Sequence, residues 1–360
     1  MEREIVAVVL AAGLGKRMKS DLPKVMHPVC GRPMIDHVLD CVGQVGAKAV
    51  YVIVGHKGEM TRAHVGSRAV CLTQAQRLGT GHAVLQAKEA LDRFEGDVLI
   101  VCGDTPLIRP QTLAQLACHG RDARSCGVVL ATRLDDPSGY GRVLRDEQGR
   151  VLRIVEEKDA TAEEASIREI NTGAYRIERR ALFEALAEVK NDNAQGEYYL
   201  TDIVEILGRT GRPIKAVVAG DPTEVIGINS RRELAQADRI LRLRILGEFM
   251  DQGLTVVDPE TTFIDRRARV GRDAVAHPFS AVRGESEIGD GAQIGPGAEI
   301  RSSRVGARAC VVHSWVEEAE IGEGARIGPY ARVHRGARVA PGAQVGSFTE
   351  VRPPAHGGSP

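Results

Sequence analysis

Apolar and polar positions follow two different rhythms along this 360-residue chain. Up to about residue 212, short apolar runs at 5–10, 49–54, 98–101 and 127–131 alternate with stretches at 34–45, 81–91 and 111–117. In those stretches apolar residues recur every three or four positions. Continuous apolar runs suit strands buried on both faces, and the longer spacing lines one side of a helix. The alternation predicts an α/β domain built on a doubly wound, mainly parallel sheet. Such sheets receive ligands at the carboxyl ends of their strands. Residues 230–253 read as one linker helix, with Ser230 at a plausible N-cap and Gly253 near its end. Beyond it, Val282, Ile288, Ile294 and Ile300 fall six apart, and after short irregular steps Ile321, Ile327, Val333, Val339, Val345 and Val351 do so again. Glycine usually follows the aliphatic residue. A six-residue period predicts a parallel β-helix, in which each short strand sends one aliphatic side chain inward and stacked coils share a core. About five coils of roughly eighteen residues are expected between Ile264 and Val351. The expected boundaries are a first domain over 1–229, the linker over 230–253, the β-helix over 254–352 and a flexible tail over 353–360.

Composition narrows the function without naming it. Lysine plus arginine and aspartate plus glutamate number 48 each, so no overall field draws the chain to nucleic acid or an anionic membrane. Any phosphate specificity has to be local. Seven cysteines form no CxxC pair and no metal-ligand spacing, which suits reduced thiols in a cytoplasm. The apolar run at 5–12 is preceded by acidic residues and followed by a basic, glycine-rich loop, so it does not read as a signal peptide. No stretch has the length and apolarity of a transmembrane span.

The segment LAAGLGKRMKSDLPK, residues 10–24, follows the first strand directly. Ala11, Ala12, Gly13 and Gly15 keep side chains clear, so that backbone N–H groups can approach a phosphate chain, and Arg17 and Lys24 can neutralise it. The loop fits neither GxGxxG nor GxxxxGK[ST], and a lone glycine-rich loop can be just a tight turn. Asp104 follows an apolar strand in VCGD, which places an oxygen ligand suited to magnesium at the ligand-binding end of the sheet.

The loop, with its spaced Pro23 and Lys24, resembles the signature of sugar-1-phosphate nucleotidyltransferases. The likeness continues through LTQAQRLGTGHA (72–83), CGDTPL (102–107), DDPSGYGR (135–142), IVEEKDA (154–160), EINTG (169–173) and NAQGEYYLTD (193–202). Together these segments resemble the bacterial bifunctional N-acetylglucosamine-1-phosphate uridyltransferase and glucosamine-1-phosphate N-acetyltransferase family. The resemblance implies a Rossmann-like nucleotidyltransferase domain followed by a left-handed β-helix, and a homotrimer assembled through that helix. Its substrates would be UTP and a sugar 1-phosphate, with Mg2+ as cofactor. It implies Arg17, Lys24 and Asp104 as catalytic residues and Asp104 with Asn229 as metal ligands. The loop Leu10–Gly13, Lys24, Cys102, Gly103, Asp104 and Asn229 would line the substrate site. Gln74, Gly79 and Thr80 would bind uracil. Gly141, Glu156 and Asn171 would hold the sugar, joined by Tyr199 and Thr201. Each has a bland counterpart: a capping aspartate, a surface glutamine, a helix-initiating Gly-Thr, a loop asparagine, a packing aromatic. His27 and His82 read as structural, because the expected reaction needs no histidine.

The likeness breaks in the β-helix. His334 stands where the family places an arginine, Arg352 where it places a lysine, and His356 is outside the family's histidine context. Arginine and histidine grip a sugar phosphate differently at neutral pH, so acetyltransferase activity is expected to be absent. The expected function is magnesium-dependent synthesis of UDP-N-acetylglucosamine. Another sugar or nucleotide, a non-catalytic nucleotide-sugar sensor and retained bifunctionality are the alternatives.

Overall fold

The computed structural model describes residues 4–55, 58–118 and 125–354. The chain separates into two compact units, Met1–Ala237 and Asp238–Pro360. In the first, the strands in chain order are β1 (Ile5–Ala11), β2 (Pro28–Val29), β3 (Arg32–Pro33), β4 (Val50–Val54), β5 (Val70–Thr73) and β6 (Asp97–Cys102). They continue with β7 (Gly127–Arg133), β8 (Arg142–Arg145), β9 (Val151–Val155), β10 (Glu169–Glu178) and β11 (Ile214–Val218). The helices are α1 (Met34–Gln44), α2 (Glu59–Val65), α3 (Thr80–Leu85), α4 (Pro110–Cys118), α5 (Ala162–Ala165), α6 (Arg179–Leu186), α7 (Ile203–Arg209) and α8 (Arg231–Asp251), the last running across the unit boundary.

The main sheet runs β11-β7-β10-β6-β1-β4-β5, and the β8–β9 hairpin joins it through β10. Strands β6, β1, β4 and β5 are parallel neighbours, as are β11 and β7, while β10 is antiparallel to both β6 and β7. Alternate residues of β1 supply opposite faces: Val6 and Val8 pack with Leu182 and Ile203, Ala7 and Val9 with Ile35, Val38 and Leu113. Helices therefore cover both faces, which is why β1 is apolar at every position instead of at every second one.

The expected helix at 81–91 is corrected to α3, Thr80–Leu85. Ala87 and Leu91 are buried as their spacing requires. After Leu85, however, the hydrogen bonds tighten to the three-residue step, Ala87 N to Val84 O and Lys88 N to Leu85 O.

In the second unit, short parallel strands stack into three sheets of six, six and five, forming a left-handed β-helix. Pairing starts at Thr255, one strand earlier than the expected start near Ile264. The inward row does not lapse where the sequence looked irregular. Ile300, Val305, Val311, Val316 and Ile321 are all buried, so the coil passes through three five-residue steps before the six-residue period resumes. Glycine after the aliphatic residue has a steric cause, since a Cβ on Gly289 would lie 2.5 Å from Ala307 N of the next coil. The expected tail at 353–360 is described only to residue 354, and His356 lies outside the described residues.

Candidate active site

The carboxyl ends of β1 and β6 lie side by side, with Leu10 in register with Cys102 and Gly103 N donating to Leu10 O at 2.9 Å. Two loops are thereby held together: the glycine-rich one leaving β1, and Gly103–Asp104 leaving β6. Gly15 sits at φ 59°, and a Cβ there would lie 2.9 Å from Lys24 Cβ, so glycine lets the loop close over Lys24. A third segment arrives just before α8, where Ile228 N donates to Asp104 O at 2.9 Å.

Lys24 Nζ stands where the three segments meet. It donates to Asn229 Oδ1 at 2.7 Å and forms an ion pair with Asp104 Oδ2, both side chains of that pair being largely buried. Asp104 and Asn229 thus point oxygens at one cationic position. A carboxylate and an amide oxygen are hard donors, a pair that suits magnesium completed by water and phosphate oxygens. Among the described residues no group of three or more His, Cys, Asp or Glu could hold a metal. Arg17 is exposed and takes no part in the Lys24 contact.

Gln74 is buried and donates through Nε2 to Gly79 O at 3.0 Å. Its Nε2 also lies 3.1 Å from His82 Nδ1. Gly79, at φ 108°, lies against Tyr198, and Thr80 Oγ1 accepts from Leu200 N at 3.0 Å. The segment 78–81 is thereby clamped onto residues 198–200.

Around the opposite wall, Asn171 N donates to Gly141 O at 2.8 Å, and Asn171 Oδ1 accepts from Gly173 N at 3.0 Å. The break in register between Asn171 and Tyr175 on β10 makes this turn. Thr201 Oγ1 donates to Glu156 Oε1 at 3.1 Å. Burial raises Glu156 above the usual carboxylate range, reinforced by Asp202, Asp159 and Glu197 and opposed by the Thr201 hydroxyl. Burial, with Glu205 and Asp159, pushes Asp202 up to about 6. Tyr199 is buried with its hydroxyl 3.2 Å from Asp159 Oδ2, a position that packs this wall. At Cys102 burial, then the Asp104 charge, pushes the thiol up to about 12, so it stays protonated at neutral pH. His27 is buried against the loop; burial, then Arg231, lowers its pKa and keeps it neutral.

Two contributors escaped the sequence reading. Asp159 joins the acidic wall through Tyr199. Glu233 accepts from the backbone of both Asn229 and Ser230. The S-x-x-E spacing of Ser230 and Glu233 was the available signal for the second.

Residues 7–205 match the MobA-like NTP transferase domain family. The protein named Bifunctional protein GlmU of Geobacillus thermodenitrificans is 44% identical over 351 residues, covering 98% of this chain and 76% of that protein. The chain belongs to the GlmU family. The GlmU of Pelotomaculum thermopropionicum is 48% identical over 316 residues, 88% of this chain and 69% of its own, and that of Enterococcus faecalis 43% over 346, 96% and 76%. The chain is a sugar-1-phosphate nucleotidyltransferase, a UDP-N-acetylglucosamine pyrophosphorylase. Among the described residues no helix is long and apolar enough to cross a membrane.

Proposed function

We propose that the chain converts UTP and N-acetylglucosamine 1-phosphate to UDP-N-acetylglucosamine and pyrophosphate in a magnesium-dependent reaction. The observation that carries this reading is the convergence of Lys24 Nζ, Asp104 Oδ2 and Asn229 Oδ1 at the carboxyl ends of β1 and β6. A phosphate oxygen of the sugar 1-phosphate attacks the α-phosphorus of UTP. The bond to the bridging α–β oxygen breaks, and pyrophosphate leaves with that electron pair. The protein contributes position and charge, without a nucleophile of its own. Lys24 faces the phosphates, Arg17 adds an exposed cation at the loop, and the bare backbone of 10–15 leaves room for the triphosphate. Bound magnesium would be held by Asp104 and Asn229, and would offset charge developing on the phosphate oxygens. Gln74, Gly79 and Thr80 form the base-binding edge, and Gly141, Glu156 and Asn171 the sugar wall, with Thr201 orienting Glu156 and Tyr199 supporting it.

The β-helix is proposed to assemble a homotrimer without acetylating glucosamine 1-phosphate. Phe279, Tyr330 and Phe348 are exposed along it, in keeping with burial between copies. His334 and Arg352 both contact Glu350, at 3.3 and 2.6 Å, so the groups that replace the family's phosphate-gripping cations are engaged within the coil. The reaction is assigned to the cytoplasm, where both substrates are soluble.

The test is pyrophosphate release from UTP and Mg2+ with a panel of sugar 1-phosphates, run beside a thiol assay with acetyl-CoA and glucosamine 1-phosphate. Release with N-acetylglucosamine 1-phosphate and no free thiol is expected. Preference for another sugar would overturn the substrate, thiol release the single-activity reading, and silence in both assays would favour a sensor. Sedimentation as a stable monomer would overturn the trimer.

A further inference from the structure

We propose that Glu233 is a positioning residue for the Lys24–Asp104–Asn229 centre, which rests on the function proposed above. In an ordinary capping box the acidic side chain three residues into a helix returns to the N-cap N–H alone. Here Ser230 Oγ accepts from Glu233 N at 3.3 Å and Glu233 Oε2 accepts from Ser230 N at 2.8 Å, completing the box. The same Oε2 also accepts from Asn229 N at 2.6 Å, one residue further out. That extra bond falls on the residue whose side chain enters the site.

Asn229 is consequently held at three atoms. Glu233 takes its backbone N–H, Gly227 O accepts from its Nδ2 at 3.2 Å, and its Oδ1 is left facing Lys24 Nζ at 2.7 Å. Fixing the amide nitrogen on Gly227 turns the oxygen towards the cation. The first turn of α8 reaches the glycine-rich loop as well, because Arg231 Nε donates to Met18 O at 3.1 Å, next to Arg17. A carboxylate at the start of a helix is favoured there by the helix dipole. Glu233 touches neither reacting group, and acts by fixing the oxygen that does.

The experiment uses the full chain with Mn2+ as the probe, titrated in the presence of UTP and absence of sugar phosphate and followed by water-proton relaxation. The Mg2+ concentration for half-maximal pyrophosphate release is measured in parallel. Losing a hydrogen bond to a charged group predicts about a tenfold weaker Mn2+ affinity for Glu233→Ala. Glu233→Gln, which keeps an acceptor oxygen, should recover most of that loss. Ser230→Ala removes the other half of the box, and should lower the melting temperature while leaving Mn2+ affinity unchanged. If Glu233→Ala does not fold, Glu233→Asp, one methylene shorter, should still weaken Mn2+ binding. Unchanged Mn2+ affinity in the folded variant, or an equal shift from Ser230→Ala, would overturn the role of Glu233. A wild-type chain that neither binds Mn2+ with UTP nor releases pyrophosphate would instead overturn the proposed function.

Discussion

Replacing Lys24 by methionine keeps an unbranched four-atom stem and removes the ammonium with its charge. In the free protein the change deletes the bond to Asn229 Oδ1 at 2.7 Å and the ion pair with Asp104. Hydrogen bonds to charged groups contribute about 1.5–3 kcal/mol each. The loss should be smaller here, because water reaches the one-fifth of the Asp104 side chain that is exposed. We therefore expect a cost of about 1–2 kcal/mol in folding, or a fall of a few degrees in melting temperature. During the reaction the same ammonium faces phosphate charge that grows as the bond changes. Removing one preorganised donor of that kind costs about 10²–10³ in rate, or roughly 2.7–4 kcal/mol. The assay is coupled pyrophosphate release at saturating Mg2+, with kcat and KM for UTP separated, beside thermal unfolding. Lys24→Arg should not restore the rate, because a planar fork cannot replace a compact ammonium between two oxygens. A Lys24→Met enzyme within about threefold of wild-type kcat/KM, still folded, would refute this electrostatic role and leave Lys24 as a structural tether.

Gly79→Ala places a Cβ 2.5 Å from Tyr198 O and 2.8 Å from Tyr198 N at φ 108°, so urea unfolding should show a loss of about 2 kcal/mol or more, with a raised KM for UTP; a wild-type curve would count against the clamp. Asp202 is raised from 3.8 to about 6 in the folded chain, so its protonated form is favoured, and the stability this contributes is full below about pH 4 and lost as pH rises through about 6. Asp202→Asn should match the wild-type melting temperature near pH 4 and exceed it increasingly towards pH 7.5; a constant difference across that range would contradict the assignment. Ile300 is fully buried in register between Val282 and Val316, so Ile300→Ala should destabilise the β-helix by about 2–5 kcal/mol. Arg301→Ala beside it, an exposed ion pair with Glu299, should cost under about 1 kcal/mol by the same calorimetric measurement.

Periodicity in the chain was enough to place the inward side of most elements, although Val345 and Val351 of the expected row stay partly exposed. The apolar runs of β1, β4, β6 and β7 and the six-residue row of the β-helix each reflect a local repeat that has one solution for its inward side. The glycine-rich loop and the Asp104 position were equally legible, because small residues after a strand and a carboxylate at a strand end are local features. Three things needed the tertiary structure. The five-residue steps that end at Val305, Val316 and Ile321 keep their register by pairing with neighbouring coils, which a period count along one coil does not register. The antiparallel β10 inserts between β6 and β7 through pairings with residues dozens of positions away. Lys24 meets Asn229 across 205 residues only because the order of the sheet brings three loops to one edge, and Glu233 matters to that meeting only once α8 is seen to begin there. Local sequence encodes which side of an element avoids water; which ends of which elements converge depends on strand order, and no local spacing records it.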